Sequence, residues 1–186
     1  FVTQPSETAM NYLKDPSFEI AATPLADLTV DNTGGGTFVR TTGTSKYGTA
    51  ALEMRHTGGV GIVRVLQEIT VGTEFGSGAT ITGRIWVQSP SSGMTGTLRI
   101  RQGNTAGTFL LDESFPFTAS GTGWSRFSTA TTATGTVGTL QVWFSVPASQ
   151  SGTMRWDGIG LHRGTAPTAW VSGRDVANHF DDNGQA

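Results

Sequence analysis

The chain contains no cysteine, which excludes disulfide bonds and thiolate metal sites. Charged residues make up only 14% of the 186 residues and the formal net charge is -2. The sequence therefore lacks the basic surplus that favours nucleic-acid binding. It also lacks an apolar run long enough to span a bilayer, so we expect no membrane insertion.

Catalytic motifs are missing as well. His56, His162 and His179 do not have metal-ligand spacing. No Gly-x-Ser-x-Gly elbow and no phosphate-binding Gly-x-x-x-x-Gly-Lys loop is present. The adjacent acids Asp112 and Glu113 would point to opposite faces of a strand. We therefore expect a protein that is not an enzyme.

Short alternating segments separated by turn residues dominate what is present. The chain has 26 Gly and is rich in Thr, which suits pleated surfaces. The first strand and its turn are predicted at residues 11–20. Further strands are predicted at 27–30, 37–41, 49–56, 60–71, 79–89, 97–101, 108–112, 124–130, 139–147 and 153–161. Segments 49–56 and 60–71 predict one hairpin, and 97–101 with 108–112 predict another. The pattern indicates an all-β sandwich.

The organisation along the chain is that of one domain with flanking segments. Residues 1–10 are polar and predict an arm or linker, whereas 11–163 hold the predicted strands. Residues 164–186 end in a polar, acidic stretch and predict a C-terminal extension, linker or assembly contact. Because the first residue is Phe1, we expect the chain to be a piece of a longer protein.

Strand alternation separates candidate surface residues from core residues. The apolar positions of segments 81–88, 97–101 and 140–146 share one parity, which leaves two Trp, three Arg and two Gln on outward positions. These are Arg84, Trp86, Gln88, Arg99, Arg101, Gln141 and Trp143. If the three strands adjoin, aromatic rings beside planar donors would suit a sugar. The alternative is that loops or a neighbouring subunit cover the Trp rings, with the Arg stems packed over them.

Two acids near opposite ends of the domain suggest an ion site. Asp157 shares its parity with Ile159 and Leu161, which would place an acid in line with core residues. Glu19 follows a turn, and pairing of the first and last strands would bring the two carboxylates together to hold a hard cation. The alternative is that Asp157 accepts backbone hydrogen bonds at a strand bend and Glu19 is solvated.

Several stretches resemble a known family. NYLKDPSFE at 11–19, YGTAALE at 47–53 and WDGIGL at 156–161 are similar to motifs of jelly-roll carbohydrate-binding modules from xylan- and glucan-binding enzymes. Such modules also occur in minor tail and receptor-binding proteins of bacteriophages. The resemblance runs over residues 11–163 and implies a jelly-roll β-sandwich of two antiparallel sheets.

The resemblance also implies a metal. In that family a structural calcium is held by the acid after the first Phe, by main-chain oxygens and by the Asp of the last strand. In this chain these correspond to Glu19, the backbone of residues 45–47 and Asp157, with Asp15 as a possible extra ligand.

The function implied is non-catalytic adhesion to cell-surface glycan by a module on a phage tail or virion surface protein. Its expected partners are that glycan and other virion or tail proteins, in a multi-copy assembly. Two alternatives stay open. One is a structural virion module that makes only protein contacts, and the other is an accessory module of a secreted, extracellular polysaccharide hydrolase.

Overall fold

The computed structural model describes residues 11–13, 18, 28–72, 75–90, 93–119 and 121–164. The strands in this part of the chain are β1 Thr29–Asn32, β2 Thr37–Thr42, β3 Ala50–Thr57, β4 Val63–Thr70, β5 Thr80–Gln88, β6 Met94–Gly103, β7 Phe109–Ala119, β8 Ser125–Thr132, β9 Thr139–Val146 and β10 Ser151–Arg163. A membrane-crossing helix, long and apolar, does not occur within these ranges. The predicted arm at 1–10 lies outside them, as does all but the first residue of the predicted extension at 164–186.

The strands form two antiparallel sheets of five strands each. The first sheet has the order β1-β4-β9-β6-β7, and the second has the order β2-β3-β10-β5-β8. The all-β fold class and the two-sheet jelly-roll architecture are thus confirmed. Because each sheet alternates between an inner and an outer row of side chains, every strand contributes to both the core and the surface.

The core lies between the inner faces of the two sheets. Phe144 of the first sheet meets Trp156 of the second, with ring centroids 6.0 Å apart. All the apolar positions assigned inward from alternation are buried in this core: Ile81, Ile85, Val87, Leu98, Ile100, Leu140, Val142, Phe144 and Val146. Burial of each such side chain stabilises the folded state by about 1.5 to 3 kcal/mol. This free energy holds the inner row in the core, and the opposite face of each strand is left for contacts outside.

Most connections between consecutive strands cross from one sheet to the other. The predicted hairpin of β6 and β7 is confirmed, since the two strands pair directly. The predicted hairpin of β3 and β4 is wrong, because β3 pairs with β2 and β10 whereas β4 pairs with β1 and β9. The Gly-rich linker at 58–62 carries the chain between sheets, and it packs so closely that a Cβ at Gly59 would lie 2.6 Å from Gly34 O.

A β-bulge interrupts the last strand. The register of β10 against β5 shifts between Asp157 and Gly160, and Gly158 has a φ of 54°, which L-residues with a Cβ rarely adopt. Trp156 and Ile159 both lie in the core, so the inward-facing residues have even numbers before the bulge and odd numbers after it. The expectation that Asp157 shares a row with Ile159 and Leu161 is therefore wrong, since the extra residue turns Asp157 to the outer face beside Trp86.

The first described residues pair with the end of the last strand. Tyr12 N donates to Leu161 O at 2.9 Å, Asn11 Nδ2 donates to Ile159 O at 2.8 Å, and Leu161 N donates to Asn11 Oδ1 at 3.0 Å. These bonds join residues about 150 positions apart in sequence, and they confirm the predicted pairing of the two terminal segments of the domain.

Replacing Gly158 with Ala should destabilise the protein more than the same change at Gly78. Both glycines have positive φ, so both changes carry a backbone cost of about 1 kcal/mol. At Gly158 the new Cβ would also lie 2.7 Å from Tyr47 Cε2 and 2.9 Å from Trp86 Cδ1, whereas at Gly78 it meets nothing within 4 Å. We expect an additional loss of about 1 to 3 kcal/mol in urea unfolding; equal losses would contradict the tight packing at the bulge.

Candidate functional site

The seven residues predicted to form one surface lie on two. Arg84, Trp86 and Gln88 are on β5 of the second sheet, and the residues on β6 and β9 of the first sheet are Arg99, Arg101, Gln141 and Trp143. All seven occupy the outer rows of their strands, as alternation predicted. The prediction that the three strands adjoin and form one sugar-binding surface is wrong. Alternation assigns a face within each strand but does not say which sheet the strand joins.

On the first sheet, Trp143 is surrounded by arginines. It lies near the middle of β9, opposite Leu66 on β4 and Arg99 on β6. The Cζ atoms of Arg64, Arg99 and Arg101 are 4.3, 5.3 and 5.4 Å from the centroid of the indole, within cation–π range. Trp143 is only 9% exposed, so the arginines cover it. This agrees with one part of the alternative, in which Arg side chains pack over the ring. We call the outer surface formed by Arg64, Arg99, Arg101, Gln141 and Trp143 the Trp143 face.

Ion pairs hold the arginines of the Trp143 face in place. Arg64 Nη2 is 2.6 Å from Asp31 Oδ2, and Arg99 makes two hydrogen bonds to the carboxylate of Asp112. Arg101 Nε lies 3.1 Å from the same carboxylate. The hydrogen bond from Arg99, with the charges of Arg99 and Arg101, holds the pKa of Asp112 below its ordinary value, although desolvation acts in the opposite direction.

Gln141 links the ring to the ion pairs. Its Oε1 accepts from Trp143 Nε1 at 3.1 Å and from Arg101 Nη1 at 3.3 Å. Its Nε2 donates to Glu68. The three arginines of this face are thus balanced by three acids, Asp31, Glu68 and Asp112. Among the described residues the face therefore has no net charge and places hydrogen-bond donors beside acceptors.

Phe109 is a candidate contact residue that the sequence reasoning missed. It begins β7, is 51% exposed and has Arg101 Cζ 3.7 Å from its ring centroid. A register shift between Gln102 and Gly103 brings Phe109 opposite Gly103, beside the Trp143 face. An unbroken β6–β7 register would have placed Phe109 opposite Asn104, on the other face of the sheet from Arg101. The register shift that turns it outward has no sequence signal of its own.

The three predicted residues on the second sheet have different surroundings. Trp86 has Lys46 Nζ 4.3 Å from its ring centroid and Tyr47 edge-on at 6.2 Å. Gln88 donates to Thr122 O and accepts from Arg155 Nη1 at 2.9 Å, so both ends of its amide are occupied. Arg84 is fully buried, and burial lowers the pKa of its guanidinium.

Asp157 is fully buried and faces backbone N–H groups. Its Oδ2 accepts from Lys46 N at 2.5 Å and from Tyr47 N at 2.8 Å, and its Oδ1 accepts from Gly158 N at 2.6 Å. These contacts agree with the alternative in which the acid binds the backbone. The N–H groups of residues 46 and 47 approach this carboxylate, whereas the resemblance implied that main-chain oxygens of residues 45–47 join it as calcium ligands.

The described residues do not by themselves supply a calcium site. No group of three or more His, Cys, Asp or Glu side chains able to hold a metal occurs among them. Asp15 and Glu19, the other predicted ligands, lie outside the described ranges. The structural calcium therefore stays a prediction.

No family model and no curated protein matches this sequence, but solved structures share its fold. The carbohydrate-binding module TmCBM61 in complex with β-1,4-galactotriose matches with a TM-score of 0.60 and 17% identity, over 84% of this chain and 100% of that one. The CBM22-1 xylan-binding domain from Paenibacillus barcinonensis Xyn10C matches with a TM-score of 0.61 and 12% identity, over 86% and 99%. The fold is that of jelly-roll carbohydrate-binding modules.

The enzymatically active domain of bacteriophage CBA120 tailspike protein 4 is also similar, with a TM-score of 0.65 and 14% identity over 83% of this chain. The present chain spans only 22% of that tailspike chain, and only 27% of a GH51 α-L-arabinofuranosidase that it also matches. By contrast, it covers almost the full length of the two carbohydrate-binding modules. At these identities the likeness establishes the fold.

Calcium should raise the melting temperature of the wild type if Asp157 and Glu19 form the predicted ion site. Asp157→Asn should then remove the calcium response, because the anionic ligand is lost. In either case Asp157→Ala should cost about 1 to 3 kcal/mol, since buried N–H groups lose their acceptor. Thermal scans of chelator-treated protein with and without added calcium measure both effects. A wild-type melting temperature that calcium does not change would discard the ion site and leave Asp157 as a backbone acceptor.

The ion pairs of Asp112 should give a stability contribution that depends on pH. Because the pKa of Asp112 is lowered in the folded protein, this contribution is complete above the ordinary carboxyl pKa of about 4 and is lost as the pH falls through the lowered value. The difference in unfolding free energy between wild type and Asp112→Asn should be at most about 1 kcal/mol at pH 7, since the pair is partly solvated, and should vanish at low pH. Glu113→Gln is the matched control, and a difference that persists at pH 2 would contradict the assignment.

Proposed function

We propose that this chain is a non-catalytic glycan-binding module that adheres to polysaccharide through the Trp143 face and Phe109. The observation that carries the proposal is this face itself, a fixed array of guanidiniums, carboxylates and an amide on a carbohydrate-binding-module fold. The arrangement binds and positions a ligand, and it breaks no bond in it.

The chemistry of the Trp143 face suits sugar hydroxyls. A hydroxyl both donates and accepts a hydrogen bond, and the Arg99–Asp112 pair offers a donor and an acceptor next to each other. Adjacent hydroxyls of one ring could bridge such a pair. The exposed ring of Phe109 offers an apolar surface for the C–H face of a neighbouring sugar.

Trp143 has a supporting role in this proposal. Its ring lies beneath three guanidiniums, and its Nε1–H holds Gln141. It therefore fixes the geometry of the groups that would touch the ligand. Preorganised groups lose less entropy on binding than free ones, which is the gain from keeping a large aromatic ring mostly covered.

The setting that we propose is the surface of a phage tail or another virion protein that adheres to host cell-surface glycan. The similarity to the bacteriophage tailspike supports this setting. Many copies on one particle would convert weak single-site affinity into strong attachment, since linked sites gain effective concentration. The similarity to an arabinofuranosidase and to a xylan-binding domain supports the alternative, an accessory module of a secreted polysaccharide hydrolase.

A structural virion module that contacts only other proteins is the second candidate. The low exposure of Trp143 favours it, because a ring already covered by arginines offers little surface for stacking. In that case the Trp143 face and Phe109 would pack against another subunit. Fold alone does not choose between the two.

Glycan retention by substituted proteins tests the proposal. Phe109→Ala should weaken retention about tenfold, the loss of roughly one stacking contact of 1.4 kcal/mol. Trp143→Ala should weaken it at least as much, because the three guanidiniums lose their common support. Affinity electrophoresis in xylan, β-1,4-galactan and bacterial surface polysaccharides, preceded by an array screen, gives the measurement.

Val39→Ala is the matched control, since Val39 is 54% exposed and lies on β2 of the opposite sheet. It should leave retention unchanged. Absence of wild-type retention on every glycan, together with a partner subunit that protects Phe109 from solvent, would replace the glycan-binding proposal with the structural one.

A further inference from the structure

The outer face of the second sheet carries a group of cationic and aromatic side chains. We call Lys46, Tyr47, Arg84, Trp86 and Arg126 the Trp86 cluster. Arg126 lies directly opposite Trp86 in the pairing of β5 with β8, so the two side chains leave the sheet side by side. Lys46 Nζ lies 4.3 Å from the centroid of the same indole, and both Lys46 and Arg126 are exposed.

The two exposed cations of the Trp86 cluster, Lys46 and Arg126, are not matched by acids in the way that the arginines of the Trp143 face are. Within the described ranges, neither Lys46 nor Arg126 forms an ion pair with an acid. Asp157 lies opposite Trp86 on β10, but it is fully buried and already accepts three backbone N–H groups. The cluster therefore presents a local positive surplus to solvent, although the whole chain has a formal charge of -2.

The neighbouring row on the same face extends this surplus. Glu53 is shared by two guanidiniums, with Arg55 Nε 3.2 Å from its Oε1 and Arg155 Nε 2.9 Å from its Oε2. One carboxylate thus serves two arginines, and Arg155 also reaches Gln88, two residues from Trp86 on β5. The outer face of the second sheet consequently favours an anion over a distance of several side chains.

An anion would offset two unfavourable features of the cluster, a repulsion between like charges and a donor without an acceptor. Arg84 and Arg126 are close enough that the charge of Arg126, after the larger effect of burial, helps to lower the pKa of Arg84. The indole Nε1–H of Trp86 is buried and has no hydrogen-bond partner among the described residues. A negative ligand would offset the repulsion of like charges and supply an acceptor near a donor that lacks one.

We infer that the Trp86 cluster is a second binding site, which takes an oxyanion, carboxylate or phosphate, carried by a polymer. It lies on the opposite sheet from the Trp143 face and does not depend on the function proposed for that face. Lys46 and Arg126 contact the anion directly, Trp86 positions them, and Arg84 adds positive potential from beneath. Affinity at this site falls with added salt, because exposed charges are screened over about 8 Å at physiological ionic strength.

Binding to two charged polymers tests the site. Polygalacturonate supplies carboxylates, poly(glycerol phosphate) supplies phosphodiesters, and xylan is the uncharged reference. The wild type should be retained at low salt by at least one of the charged polymers, and retention should fall as sodium chloride is raised. Retention by polygalacturonate alone would identify a uronate-type ligand. Retention by poly(glycerol phosphate) alone would identify a phosphodiester, and retention by both would indicate a site for oxyanions in general.

Arg126→Gln and Lys46→Met should each weaken this retention roughly fivefold, the loss of one partly solvated charge contact of about 1 kcal/mol. Arg55→Gln is the matched control. It removes the same charge from the same face, but its side chain is paired with Glu53 and lies outside the Trp86 cluster, so retention should fall less than about twofold, the long-range effect of one screened charge. Equal losses in all three variants would show non-specific attraction, and no retention by either charged polymer would also overturn the site.

Neutral-glycan retention separates this inference from the proposed function. Arg126→Gln should leave binding to uncharged glycan unaffected, whereas Phe109→Ala should reduce it and leave binding to the charged polymers intact. If uncharged glycan is not retained but the charged polymers are, the function proposed for the Trp143 face fails and the Trp86 cluster stands. The reverse result rejects the cluster alone.

Discussion

The burial of two apolar rows against each other is the constraint on which the remaining structure depends. Each sheet places one side of its strands in the shared core, with Phe144 and Trp156 in contact at its centre. The opposite side of every strand is then committed to solvent or to a partner. The Trp143 face and the Trp86 cluster are consequences of this division, since both occupy positions that the core does not use.

The two outer faces treat charge differently. On the first sheet each arginine of the Trp143 face has an acid beside it, and the indole lies under the guanidiniums. On the second sheet Lys46 and Arg126 flank an indole without forming an ion pair to any acid among the described residues. The carboxylate of Asp157, opposite that indole, is buried and accepts backbone hydrogen bonds. One face is thus built to exchange hydrogen bonds with a neutral ligand, and the other to attract a negative one.

Alternation in the sequence was sufficient to predict the inner and outer rows of β5, β6 and β9, because a period of two is dictated by the backbone. It could not predict which strands share a sheet. Trp86 and Trp143 have the same local pattern, yet β5 and β9 lie in different sheets, and a Gly-rich linker such as 58–62 reads the same whether it closes a hairpin or crosses the core. Long-range pairing, absent from any local window, decides this.

Bulges were the second limit. Gly158 in WDGIGL appears in the sequence as one more turn-forming residue, but its positive φ shifts the register and moves Asp157 to the outer face. The shift near Gly103 likewise brings Phe109 beside the Trp143 face. The resemblance of several motifs did identify the correct fold. The pairing of the two terminal segments, which was predicted from the placement of Glu19 and Asp157, is present at Leu161.

The hydrogen bonds between Asn11, Tyr12 and the end of β10 have a consequence for protein architecture. They place the first described residues of the sandwich next to the end of its last strand. A domain with adjacent entry and exit can be spliced into a surface loop of a larger polypeptide without forcing apart the two halves of its host. For the same reason the domain should tolerate circular permutation, in which the two neighbouring termini are joined and new termini are made at an exposed turn.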